Sequence, residues 1–117
     1  MRGAIVSGPG EGETLERDDR TLVVKADLPQ LSAIEIAFDP SFRVEQHTHD
    51  DHVDAFYVLE GEVEFLLDDG PRRVGPGTLV AVPPGVVHGF ANPGPGRARL
   101  LNLHAPETGF VASLPRP

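Results

Sequence analysis

The chain has 117 residues, enough for one domain around a single core and too few for two. It contains no cysteine, which excludes disulfides, thiolate-held zinc and iron–sulfur clusters and leaves nitrogen and oxygen as the donors for any metal. The formal net charge is −8 and the ten basic residues stand as singles apart from Arg72-Arg73, so no basic face exists to neutralise a phosphate backbone and nucleic acid is not an expected partner.

No apolar run approaches the roughly 20 residues of a spanning helix, and the opening MRGAIVSGPGEGE is too weakly apolar for a signal peptide. The expectation is a cytoplasmic protein without a membrane partner. Residues 1–20 are polar and read as a loosely held N-terminal arm, with the barrel proper over residues 21–117. Residues 21–25 (TLVVK) form a strand that Asp27-Leu28-Pro29 breaks. Residues 31–38 (LSAIEIAF) fit both a helical stripe and a strand; the short length, the Asp39-Pro40 stop and the extended stretch that follows favour the strand.

Residues 42–49 alternate, with Arg43, Glu45, His47 and His49 on one face and Phe42, Val44, Gln46 and Thr48 on the other. Two imidazoles at i and i+2 on a strand have roots about 7 Å apart and can bend onto one ion. After the Asp50-Asp51 bend, residues 54–59 and 62–67 form a hairpin around Glu60-Gly61. Asp68-Asp69-Gly70-Pro71 turns the chain again. Residues 72–74, 78–82, 86–91 and 97–104 continue as strands between Gly/Pro turns, and nothing of helical length is left over. About nine short, evenly spaced strands predict an all-β sandwich or barrel with little or no helix.

His47, His49, Asp54 and Gly61 match the spacing of one sequence motif, and Gly77, Pro83, Gly85, His88 and Asn92 match every fixed position of another. Together they resemble the two motifs of the cupin superfamily, the first around residues 41–61 and the second over 77–92. The resemblance covers roughly residues 32–105. It departs in two places. Ser41 stands where the first motif has its leading glycine. Asp54 stands for the motif's glutamate, one methylene and about 1.5 Å shorter. His52, two residues earlier on the same face, competes with Asp54 as the fourth ligand.

The resemblance implies a single-domain cupin β-barrel, a double-stranded β-helix or jelly roll. One divalent metal ion would sit in its mouth on His47, His49, His88 and Asp54 or His52. Three imidazoles and a carboxylate suit Fe, Mn, Ni, Zn or Cu alike. If His47, His49 and Asp54 face the lumen, parity places Arg43, Glu45, Phe56 and Val58 there, and parity from His88 adds Phe90. His104, on one face with Asn102 and Leu100, can reach the same pocket. Arg43 would hold a carboxylate or enolate oxygen of a small-molecule ligand or, in the alternative, an ion pair with Glu45.

The leading functional expectation is a metal-dependent enzyme on a small organic molecule, dioxygenase-like in its first form, with Glu45 or Asp54 as candidate catalytic base. The alternatives are a ligand-binding or sensor module without chemistry, and a metal-free scaffold. Tyr57 and Leu59 on the outward face, with the N-terminal arm, lead us to expect a homodimer.

Overall fold

β-Branched and aromatic residues alternating between Gly/Pro turns build this fold. A computed structural model of the chain describes residues 3–116. It contains β1 (Glu13–Glu16), β2 (Arg20–Leu28), β3 (Leu31–Phe38), β4 (Arg43–His47), β5 (Val53–Glu60), β6 (Val63–Leu67), β7 (Gly70–Val74), β8 (Leu79–Val82), β9 (His88–Ala91), β10 (Ala98–Ala105) and the short helix α1 (Phe110–Ser113). Two antiparallel sheets result, one in the order β1-β2-β3-β10-β5-β8 and the other β4-β9-β6-β7. This is the expected all-β architecture with little helix. Among the described residues no helix is long and apolar enough to cross a membrane.

The core lies between the sheets. Ile34, Ile36 and Phe38 of β3, Phe56 and Val58 of β5 and Leu100 of β10 meet Val63 and Phe65 of β6 and Phe90 of β9. Phe90 packs edge-on against Phe38 and Phe56, each at 5.4 Å between ring centroids. Such pairs add to the roughly 25 cal/mol gained per Å² of buried apolar surface. The ambiguous stretch 31–38 is therefore a strand, and its alternation buries Ile34, Ile36 and Phe38.

Three local features differ from the expected layout. β2 runs on to Leu28, because the extended conformation that Pro29 imposes on its predecessor is also a strand conformation. Within the segment read as an arm, Glu13–Glu16 is an edge strand that pairs with β2 from Glu13↔Val24 to Glu16↔Thr21 and buries Leu15. One apolar residue in a polar run is too small a periodic signal to read in advance. The third feature is α1, whose Val111 is buried. Arg116 fastens this segment to β1 through both carboxylate oxygens of Glu13, at 2.8 and 3.0 Å, and so holds it across the end of the barrel.

Candidate metal centre

β4 carries a bulge that decides which of its side chains face inward. Val44 lies opposite Phe90 and His47 opposite His88, so three steps along β4 match two along β9. The extra residue reverses the alternation. Phe42 and Val44 therefore share the lumen with His47, while Arg43 and Glu45 leave it. Gly89 makes room for the bulge. A Cβ on Gly89 would lie 2.5 Å from the Val44 carbonyl oxygen and 3.0 Å from the Gln46 nitrogen.

This corrects two expectations. The Arg43 and Glu45 side chains are 50% and 76% exposed and pair with each other at 2.6 Å, the alternative foreseen for Arg43. The Glu45 carboxylate lies outside the cavity. A third correction concerns Val58: parity points it inward as expected, but four residues beyond Asp54 it is 0% exposed in the core and does not line the cavity. Phe56, Phe90 and His104 do line it.

His47 ends β4, and His49 lies in the loop beyond it. The Gly85 N–H donates to the His49 carbonyl at 2.6 Å, so the Pro-Pro-Gly turn of the second motif holds the backbone of the first. The His47 and His88 rings stand 4.4 Å apart, and those of His49 and His88 4.8 Å. Asn92, at the second motif's final position, donates to the carbonyls of Phe38 and Gly96 and fixes the turn outside the cavity.

Two backbone carbonyls set the tautomers. His47 Nδ1–H donates to the Glu45 carbonyl at 2.8 Å, and His88 Nδ1–H to the Val86 carbonyl at 2.9 Å. Each ring, when neutral, is thereby left with an unprotonated Nε2. His88 Nε2 lies 3.1 Å from His49 Nε2 and 3.0 Å from Asp54 Oδ2, and His49 Nε2 lies 3.3 Å from the same oxygen. Lone pairs crowded in this way repel unless a cation sits among them. Donors bonded at about 2.0–2.2 Å to one ion stand about 3 Å apart, as these do. His47, His49, Asp54 and His88 thus form a group able to hold a metal ion, and the shorter side chain of Asp54 reaches it.

His52 falls outside that group and clusters instead with His104 and with Asp54. Asp54 is the hinge of the whole arrangement, since its Oδ1 accepts from Asn102 at 2.6 Å and lies 3.3 Å from His104 Nε2.

Burial opposes a charge on Asp54, yet hydrogen bonds from His104, His88 and Asn102 outweigh it and hold the carboxyl well below its usual range. Burial likewise opposes a charge on His88, and the Asp54 carboxylate more than offsets it, raising the imidazole. His49 is lowered first by burial and then by repulsion from the neighbouring His52 and His88 rings.

In the metal-free protein a proton takes the cation's place, and the linkage has two signs. The Asp54 contribution is present above its ordinary value of 3.8 and is lost as the pH falls further. The His88 contribution is present below its ordinary 6.5 and is lost as the pH rises through its raised value. Metal-free protein is therefore expected to be most stable between these two values. Asp54→Asn should remove about 2 kcal/mol in that window and flatten the acid limb, read by urea unfolding across a pH series.

His47, His49 and Asp54 border a cavity of about 280 Å³ walled by Leu22, Ile36, Phe42, Val44, Phe56 and Phe90. Phe110 and Leu114 close it from the C-terminal segment, and Arg20 brings a positive charge to its lining. The Arg20 guanidinium lies 4.6 Å above the Phe42 ring and pairs with Asp19 at 2.8 Å. Sequence reasoning missed Arg20, Phe110 and Leu114. The apolar residues of Gly109-Phe-Val-Ala-Ser-Leu114, lone hydrophobic groups in a polar terminus, were the available signal.

A family description, Cupin domain, matches residues 34–104. Among solved structures, an RmlC-like cupin from Shewanella frigidimarina superposes with a TM-score of 0.80 at 24% identity, over 93% of this chain and 96% of that one. KdgF from Halomonas sp. gives 0.76 at 24% identity, over 85% and 92%. The polyketide cyclase RemF from Streptomyces resistomycificus gives 0.68 at 25% identity, over 84% and 70%. A comparison with curated proteins finds no match. Since the family description spans more than half of the chain, including both histidine-bearing segments and the strands that pack them together, the chain belongs to the cupin superfamily.

Proposed function

We propose that this cupin is a metal-dependent enzyme acting on a small, largely apolar organic molecule with oxygen donors, with dioxygenase-like oxidation as its leading form. The observation that carries the reading is the convergence of imidazole Nε2 atoms and one carboxylate oxygen beside an aromatic-walled cavity. His47, His49, His88 and Asp54 would hold one divalent ion. A borderline ion such as Fe(II), Mn(II), Ni(II), Zn(II) or Cu(II) suits this donor set. When bound it supplies a Lewis acid for substrate oxygens. The phenylalanine walls exclude water and orient an apolar ring or chain.

Arg20 takes the part expected of Arg43, that of anchoring an anionic or enolic oxygen away from the reacting end. Arg20→Ala should raise KM for acidic substrates about tenfold, about 1.4 kcal/mol, with kcat little changed. Steady-state kinetics on matched acidic and neutral substrates checks this.

A specific observation favours a second reading, the binding or sensor module. Glu45 is outside the cavity and Asp54 is held ionised by three neighbours, which makes Asp54 a poor base. The test is anaerobic loading of chelator-stripped protein with each divalent ion, then oxygen uptake and product analysis on phenols, enols and diketones. Turnover lost in His47→Ala supports the enzyme. Tight binding without turnover for every ion overturns it in favour of the module.

We also propose a homodimer in the cytoplasm with no nucleic-acid partner. Val53, Tyr57 and Leu79 expose apolar surface on the outer face of β5 and β8, a face that a second copy would cover.

A further inference from the structure

His52 is 6% exposed, and its Nε2 is buried without a hydrogen-bond partner among the described residues. Leaving a buried ring nitrogen unpaired opposes folding, so something should be gained by keeping it. Its other nitrogen is engaged by Asp51, with Nδ1 2.8 Å from Oδ1. The carboxylate fixes the proton on Nδ1 and leaves Nε2 as a bare lone pair, the carboxylate–histidine arrangement that prepares an imidazole for a metal. His47 and His88 are prepared in the same manner by backbone carbonyls.

The free nitrogen has company. His52, His104 and Asp54 each offer a donor atom within 4.8 Å of the others, and all three residues are buried. The His52 and His104 rings stand 5.1 Å apart. Asp54 divides its oxygens: Oδ2 faces His49 and His88, whereas Oδ1 faces His104 and accepts from Asn102, which leaves it a second lone pair. A carboxylate with one oxygen towards each of two histidine clusters has the geometry of a bridge between ions about 3.5–4 Å apart.

We propose that the barrel holds a second divalent cation on His52, His104 and Asp54 Oδ1, bridged through Asp54 to the first. The inference extends the metal-centre reading above and rests on it through the shared carboxylate. Two imidazoles and a carboxylate oxygen suit zinc or another borderline divalent ion better than magnesium or calcium, which favour all-oxygen sites. The second position borders a separate opening lined by Asp51, Thr108, Gly109, Phe110 and Ser113. Ligand atoms from that side would therefore reach the second ion, while the aromatic cavity serves the first. Phe110, His49 and His104 border both spaces.

The experiment is zinc(II) titration of the chelator-stripped, tag-free full chain, read by calorimetry and by elemental analysis after gel filtration. Two equivalents per chain are expected for the unaltered protein. His52→Gln and His104→Gln, which keep most of the side-chain volume, should each retain one tight equivalent with an affinity within about threefold of the original. His47→Ala should weaken the other equivalent instead. One equivalent in the unaltered protein overturns the second site and leaves the first standing, and none overturns both. Two equivalents surviving in both glutamine variants would place the second ion elsewhere and also overturn the proposal. If a variant unfolds, as circular dichroism would reveal, the other one locates the ion, and the stoichiometry of the unaltered protein decides the count without either.

Discussion

His88→Ala is expected to abolish tight metal binding, with a dissociation constant for zinc at least about a hundredfold weaker, while Arg43→Ala and Glu45→Ala leave it within about twofold. Structural zinc sites with four protein ligands gain about 10–16 kcal/mol, so one ligand carries about 3 kcal/mol, or two orders of magnitude. His88 is the ligand with the least freedom to be replaced. It is 1% exposed, its ring is oriented by the Val86 carbonyl, and Phe56 packs 6.2 Å from it, so no surface side chain can swing in. The substitution also deprives the buried Asp54 of one of its partners and opens a void, so the metal-free variant should lose a further 2–3 kcal/mol of stability. His88→Gln fills the void and separates the two effects: it should recover part of the stability and little of the affinity. The Arg43 and Glu45 variants matter because plain strand alternation puts both residues in the lumen. An effect of either on zinc affinity would show that the bulge in β4 is wrong.

The second large effect falls on a residue with no side chain. Gly89→Ala should destabilise the fold by about 3 kcal/mol, lowering Tm by roughly 10 °C or more, and weaken metal binding together with it. The added Cβ would stand 2.5 Å from the Val44 oxygen and 2.9 Å from the Glu45 carbonyl carbon. Both atoms are backbone, so relief requires β4 to shift. The part that would shift is the bulge that turns His47 inward. Gly96→Ala is the control, since a Cβ there meets nothing within 4 Å; thermal unfolding followed by zinc titration compares the two. If Gly89→Ala unfolds normally and binds zinc like the parent, the bulge does not position His47.

The contrast between these two residues shows where the sequence was legible. Turn chemistry placed the strands, because Gly and Pro at 75–77, 83–85 and 93–96 divide β-branched runs with little ambiguity. The histidines and Asp54 were legible as candidate ligands through the resemblance to the two cupin motifs, whose fixed positions they match. Alternation failed at Arg43, Glu45, Phe42 and Val44, for a reason outside the strand itself. A bulge in β4 depends on what lies opposite, and the residue opposite is Gly89, more than forty positions away in sequence. Arg20, Phe110 and Leu114 were missed for a related cause: they reach the cavity from β2 and from the terminal segment, which only the closed barrel brings to its mouth. The strand at Glu13–Glu16 carries a single buried side chain, Leu15, too little for a period to show. His52 was legible as a ligand candidate, but its separation from the first cluster was not, since that depends on which way the loop between β4 and β5 folds.

The central claim is that His47, His49, His88 and Asp54 surround one ion. Anomalous diffraction from crystals of tag-free protein grown with zinc, recorded on both sides of the zinc absorption edge, tests it most directly. A strong anomalous peak is expected about 2.0–2.2 Å from the Nε2 atoms of His47, His49 and His88 and from Asp54 Oδ2. Zinc found only elsewhere on the molecule, or no peak at this position in crystals that diffract well, would contradict it.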